Sequence, residues 1–374
     1  MILELEPVTP FIIKSGVKFS LLDLYEDNGE LYRIDTEKFL KNLKDEEKEA
    51  LWGLLDEFIS LKKEGKGKGH GRMQEKYAEQ WKKINSFNIK NGAEKYRILP
   101  KMSMNLNFKR YNEFDEFVSI EIKRGEVKEL LPYIPGSTIK GMIRRMLMLD
   151  YISRKKIQIF DLTQKSNDRQ NMENAIKEVM PSIQISDFYP VGKVEIKMED
   201  VRRSAPQVFP LIYSGKFYGE VNVSNMRNME SPLREFGIAG NKREMEENLL
   251  KIVLKYSNLI IRKNQEWYKD KIYFGPENSN DLIALGYGKG LTLSGFAAVK
   301  NDMKLILPDI QSKSRSGNGW AEQKFLKSNW TVKCYNEGKF MDTKLGILRV
   351  KKDNEHEYLN EFKEIAEIMK GAVQ

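Results

Sequence analysis

The sequence predicts an α+β fold whose well-patterned elements run strand, helix, two strands, helix, strand, and three observations predict it. Apolar residues recur at helical spacing in segments beginning at Pro135 and near Lys242. Extended, β-prone runs occupy residues 3–13, 182–196 and 217–223. A glycine-punctuated stretch, residues 285–296, then leads into a further strand through Val299.

Taken in order, residues 3–13 are apolar with Pro7 and Pro10 inside them, which suits an irregular or edge strand, and Ser15-Gly16 is expected to turn the chain. A short strand at 30–34 leads through Asp35-Thr36, a helix N-cap pair, into residues 37–62. There Phe39, Leu40, Leu43, Leu51, Leu54, Leu55, Phe58 and Ile59 mark one amphipathic helix or a helix pair. Residues 62–72, KKEGKGKGHGR, cannot bury apolar surface and read as a mobile basic loop, a hinge or an RNA-touching flap.

A helix is expected from Pro135 to about Tyr151, then a polar break, then a short amphipathic stretch ended by Pro181. The runs 182–196 and 217–223 follow, separated by a loop holding Arg202, Arg203, Pro206 and Pro210. A long helix over 242–267 buries Leu249, Leu250, Ile252, Val253, Tyr256, Leu259 and Ile260. Residues 311–329 are basic and rich in small side chains, and a strand pair and helix follow. The order is βαββαβ, a ferredoxin-like or RRM-like core carrying large helical and loop insertions. The corresponding division is a discontinuous core (1–35 plus 97–310), a helical insertion (36–96) and a C-terminal extension (311–374).

Composition bounds the function. Hydrophobic residues make up 40% and charged residues 31%, a globular balance, and no apolar run reaches the roughly 20 residues a bilayer span needs. With acids in its first six residues the chain is read as cytoplasmic. One cysteine, Cys334, and two distant histidines, His70 and His356, exclude a disulfide framework and a four-ligand zinc site, so no cofactor is expected. The net charge of +9 favours polyanions, because each neutralised phosphate releases condensed counterions.

Two stretches carry the chemistry. Ile134-Pro135-Gly136-Ser137-Thr138-Ile139-Lys140-Gly141 starts a helix in which Ser137 can cap and free N–H groups can face an anion. Lys140 and Arg144 fall on one face, Arg145 follows, and Ile139, Ile143, Met146 and Leu147 form the buried stripe. An ordinary capped helix with a solvated basic side is the competing reading, and both remain open at this point. The second stretch, Leu285-Gly286-Tyr287-Gly288-Lys289-Gly290, allows close backbone approach to a ligand at its glycines and offers Tyr287 for stacking beside Lys289. It lacks the Lys-Ser/Thr ending of a P-loop and leads into a strand rather than a helix.

Together these stretches resemble the RAMP superfamily of CRISPR proteins, which pairs an IPGSSIKG-like helix start with a C-terminal glycine-rich loop. Within it the chain is similar to the fifth Csm subunits of type III-A effector complexes. The resemblance rests on the turn from Pro10 to Gly16, Leu31-Tyr32-Arg33-Ile34-Asp35, the IPGSTIKG and LGYGKG stretches, and Ile185-Ser186-Asp187. It departs at Ile12-Ile13-Lys14-Ser15-Gly16, where that family has His-Ile-Gly-Ser-Gly, and after Gly290, where Thr292 and Ser294 replace Leu-Ser-Lys-Thr.

The resemblance implies a modified RRM fold and a non-catalytic subunit that binds guide RNA (crRNA). It would cap the 3′-end side of a type III-A complex and support crRNA 3′ maturation and antiviral defence. Its partners would be crRNA, target RNA, the adjacent RAMP-fold backbone and small helical subunits, and host nucleases that trim crRNA. RNA contacts are expected at Lys14, Ser15, Gly16, Gly136, Ser137, Thr138, Lys140, Arg144, Arg145, Arg202, Arg203, Gly286, Tyr287, Gly288, Lys289 and Gly290. The alternative is a RAMP-type endoribonuclease cleaving repeat or target RNA. Asp23, near where target-cutting relatives hold an aspartate, is its one candidate acid, although an exposed loop acid is the simpler reading. A protein-only scaffold would use the same basic face as a protein interface.

Overall fold

The computed structural model describes residues 1–20, 23–64, 70–104, 113–124, 127–157, 167–201, 207–224, 230–268, 272–285, 331–336 and 339–352. The centre is strand β1 (Ile2–Pro7), which alternates as its sequence does: Leu3 and Leu5 point into the core, while Glu4 meets Lys216 and Lys351 and accepts the Tyr218 hydroxyl. β1 is antiparallel to β11 (Gln207–Val223) on one side and to β16 (Ile347–Lys352) on the other. β10 (Tyr189–Val201) runs antiparallel to β11 along most of its length, and β9 (Ile183–Ile185) pairs with the end of β11.

On the apolar face lie α4 (Gly136–Lys155) and α7 (Lys242–Tyr268), whose Ile139, Met142, Ile143, Leu249, Leu250 and Val253 close over Leu3, Leu5 and Phe188. Full burial of each such side chain contributes about 1.5–3 kcal/mol, and this layer anchors the core. The stripes on α4 and α7 are those their periodicity predicts. α5 (Asn167–Val179) packs beside α4 through Met172, Ala175, Ile176 and Val179, and α6 (Glu230–Glu235) precedes α7.

The insertion between β4 (Glu30–Ile34) and β5 (Arg97–Met104) leaves and re-enters the sheet at adjacent positions, since Ile34 pairs with Arg97. β3 (Leu24–Asp27) and β4 form a hairpin whose Asn28 and Gly29 both take positive φ, 51° and 79°, the backbone of a type I′ turn. α1 (Thr36–Asn42) starts at Asp35, whose carboxylate accepts the Lys38 N–H at 3.2 Å, so the predicted cap is present. The residues expected to form one helix or a pair divide into α1 and α2 (Asp45–Glu64). α3 (His70–Lys90) returns antiparallel and docks on β3, where the Asn85 side chain accepts the Glu26 N–H (2.7 Å) and donates to the Glu26 carbonyl (3.0 Å). The basic loop expected over 62–72 is thereby narrowed, since residues 62–64 end α2 and 70–72 begin α3.

Beyond β5 the sheet continues through β8 (Val127–Pro132), parallel to β5, and β7 (Ser119–Arg124), antiparallel to β8. β13 (Leu282–Ala284) lies outside β16. Among the described residues this makes an eleven-stranded sheet with the path β13-β16-β1-β11-β10-β5-β4-β3. β2 (Lys14–Ser20) pairs with β6 (Glu113–Phe117), and β12 (Ile272–Tyr273), β15 (Lys339–Lys344) and β14 (Thr331–Asn336) form a third sheet.

Three expectations change. Ser15-Gly16 is not a turn; it lies in a register irregularity of β2 between Lys14 and Lys18, with Gly16 at φ 86°. β11 begins at residue 207, so Pro210 is inside a strand opposite Met198. The strand beside β1 comes from residues 347–352, which the sequence reading assigned to the C-terminal extension, whereas the strand expected through Val299 lies outside the described residues.

Candidate nucleic-acid interface

The start of α4 is set by the strand segment before β10. Ile134 and Phe188 exchange both backbone hydrogen bonds at 2.9 Å, bringing Ile185-Ser186-Asp187 against Pro135 and Gly136. Pro135 is the N-cap and has no side-chain acceptor to offer. Asp187 supplies it from a distance in sequence: its Oδ1 accepts the Gly136 N–H at 2.7 Å. A Cβ on Gly136 would fall 2.5 Å from the Ile185 carbonyl oxygen and 2.6 Å from that of Ser186. This glycine is buried and serves helix–strand packing. The capping role expected of Ser137 is therefore corrected, since Asp187 makes the bond and Ser137 is exposed.

From that start, Ser137, Lys140, Gly141 and Arg144 line one wall of a groove of about 710 Å³, and Gln170, Glu173, Asn174 and Lys177 of α5 line the other. The predicted Lys140 and Arg144 face is thus the wall of a concave site. Glu173 is held by Arg169 at 2.9 Å. Thr138 is half-buried and its N–H donates to the Pro135 carbonyl at 2.9 Å. Arg145 is not among the groove residues; it is half-buried, and that burial holds its guanidinium below its ordinary pKa. Beside the helix start, the Tyr133 and Tyr189 rings stack at 5.5 Å. Burial, reinforced by the Asp187 carboxylate, pushes Tyr189 up to about 12.

The N-terminal candidates belong to a different surface. Lys14 pairs with Asp115 at 2.6 Å and stands 4.4 Å over the Phe209 ring, so its ammonium is engaged by the protein. Ser15 and Gly16 are exposed, and Val17 beside them is 55% exposed. Arg202, Arg203 and residues 286–290 lie outside the described residues. Asp23 is not a loosely held loop acid: Oδ2 accepts the Ser20 N–H (2.7 Å) and hydroxyl (3.0 Å), and Oδ1 accepts the Thr36 hydroxyl (2.7 Å). Among the described residues there is no metal-ligating cluster of acids, histidines and cysteine, and no helix long and apolar enough to cross a membrane.

Sequence reasoning missed two contributors. Asp187 was noted as part of a strand but not as the cap, although a proline at the N-cap leaves a donor that needs an outside acceptor. Lys177 was invisible because nothing in the sequence pairs α5 with α4.

The family model of the RAMP superfamily matches residues 122–369, about two thirds of the chain, and the chain belongs to that superfamily. Its fold is similar to that in the crystal structure of T. onnurineus Csm5, with a TM-score of 0.51 and 14% identity over 92% of this chain and 99% of that one. A chain in the cryo-EM structure of a Csm-crRNA-target RNA ternary complex of a type III-A CRISPR-Cas system aligns with a TM-score of 0.49 and 15% identity, over 93% and 99% respectively. No curated protein matches the chain.

Proposed function

We propose that this chain is a non-catalytic crRNA-binding subunit of a type III-A CRISPR effector complex. It caps the 3′-end side of the guide, supports crRNA 3′ maturation by host nucleases, and acts in the cytoplasm in antiviral defence. Family membership and the Csm5-like fold support the assignment. The observation that carries it is the concave placement of Lys140 and Arg144 beside the α4 start, because the bland reading of a solvated convex helix face has no use for a facing wall.

The path β1, α4, β10, β11, α7, β16, with neighbours in the order β16-β1-β11-β10 and every pair antiparallel, supports a ferredoxin-like core inside the larger sheet. On this reading the insertion 36–96 is a separate helical unit, and Ser15, Gly16, Arg202, Arg203 and residues 286–290 make further backbone contacts to the guide. Asp23 acts as a structural acid, since its oxygens already accept three hydrogen bonds.

The test is RNA crosslinking and cleavage on the assembled complex, comparing wild type with K140A/R144A. Loss of crosslinks near the guide 3′ end, or shortened complexes, with a shallower salt dependence of binding by about one to two phosphates, is the expected result. Unchanged crosslinks and salt slope would refute the assignment of this face to RNA.

A further inference from the structure

The groove has a second wall that the proposed reading does not use. On α5, Gln170, Asn174 and Lys177 stand one and then nearly one further turn apart, exposed, while Met172, Ala175 and Val179 anchor the helix in the core and buried Ile176 borders the groove. The Gln170 Nε2 donates to Asn174 Oδ1 at 2.9 Å, which orients the two amides and leaves the Gln170 oxygen as acceptor and the Asn174 NH₂ as donor. Glu173 on this wall repels phosphate even with Arg169 beside it, so a polyanion crossing the groove lies towards Lys140 and Arg144. Between those cations sits Gly141, and a Cβ there would meet nothing within 4 Å, so the α4 wall is open at its middle.

We infer that the α4–α5 groove is a single-stranded RNA track in which Lys140 and Arg144 hold phosphates and the Gln170–Asn174 amide pair contacts a ribose 2′-hydroxyl. A 2′-hydroxyl both donates and accepts, which matches an oriented amide pair with one free acceptor and one free donor, and it is the group that separates RNA from DNA. About 710 Å³ is within the size of pockets that enclose small ligands, room for nucleotides of one strand rather than a duplex. Lys177 adds a phosphate contact at the exit. The inference rests on the RNA reading of the α4 face and adds to it a selectivity for ribose.

The experiment measures binding of the full-length chain to a single-stranded RNA, the same sequence as DNA, and the same RNA carrying 2′-O-methyl groups. Wild type is compared with Q170A/N174A, K177A and K140A/R144A. Arg144, Gln170, Asn174 and Lys177 are exposed and Lys140 is half-buried, and circular dichroism checks the fold of each variant. Wild type should prefer RNA over DNA and over the methylated RNA by about fivefold, the factor one net hydrogen bond contributes. Q170A/N174A should erase that preference without changing DNA affinity, and K177A should weaken RNA and DNA alike. An RNA-to-DNA ratio that Q170A/N174A leaves intact overturns the inference while leaving the RNA reading standing, provided K140A/R144A still lowers affinity. Absence of any effect of K140A/R144A, or of any RNA binding, defeats both. If the α5 variants instead impair association with neighbouring subunits and leave RNA binding alone, the wall is a protein interface and the inference fails.

Discussion

The carboxylate of Asp187 accepts the backbone N–H of Gly136 at 2.7 Å, across 51 positions of sequence. This bond ties the second strand segment of the core to the first turn of the helix that carries Lys140 and Arg144. Replacing Asp187 with Ala should destabilise the protein by about 1–2 kcal/mol, the usual cost of losing an N-cap acceptor, and Asn should restore part of it. Urea denaturation reads the difference. A spectrophotometric titration of the same variant should show Tyr189 titrating lower than in wild type yet still above an ordinary tyrosine, because burial is the larger cause of its raised pKa.

Two glycines five residues apart, Gly136 and Gly141, are distinguished by their surroundings. Gly136→Ala drives a Cβ into backbone carbonyls at 2.5 and 2.6 Å and should cost at least about 1–3 kcal/mol and displace α4, lowering RNA affinity with it. Gly141→Ala meets nothing within 4 Å in a helix interior and should raise stability by about 0.5–1 kcal/mol. Thermal melts of both variants, side by side, check the contrast.

Asp23→Ala should behave as a stability variant. It removes the carboxylate that accepts the Ser20 N–H and hydroxyl and the Thr36 hydroxyl, a loss of about 1–3 kcal/mol. RNA cutting by the assembled complex should continue at the wild-type rate once the variant is incorporated. A complex that contains Asp23→Ala at normal stoichiometry and no longer cuts would point to the endoribonuclease reading.

Lys344, 2% exposed, has its pKa lowered by burial from 10.5 to about 8. Between those values the unfolded chain binds more protons than the folded one, so stability rises with pH across roughly pH 8–10.5 and is flat in this respect below it. Lys344→Met should remove that rise. Comparing the two proteins by urea denaturation at pH 7.5, 8.5 and 9.5 isolates it from the tyrosines Tyr25 and Tyr189, raised to about 12, whose folded-state protons lower stability only above about pH 10.

The helices of this fold were legible because each buries one stripe. Ile139, Ile143, Met146 and Leu147 on α4, and Leu249, Leu250, Val253 and Tyr256 on α7, are buried where the 3.6-residue period places them. The Asn28-Gly29 hairpin was equally readable from its turn chemistry, and the alternation of Ile120 and Ile122 in β7 and of Ile98, Met102 and Met104 in β5 was there to be read, but neither was in the expected strand set. Pro210 argued against a strand and β11 accommodates it, so local propensity yielded to tertiary pairing. At the site, Lys140 and Arg144 followed from i, i+4 spacing. Lys177 and the capping role of Asp187 did not, because both depend on which segments meet.

The position of β16 has a consequence in time. β1 is made some 340 residues before its partner on one side, residues 347–352, and Leu5 and Val350 can face each other only once that segment exists. At about 5–20 residues per second a ribosome holds that flank of β1 unclaimed for tens of seconds. During this interval β1 is an open template for any extended chain nearby, and its protection depends on β11 arriving on the other side and on Glu4 and Glu6, whose charges discourage stray pairing. The finished sheet hides β1 between β11 and β16, but during synthesis the β16 flank is guarded only by the strand's own charges until that segment arrives.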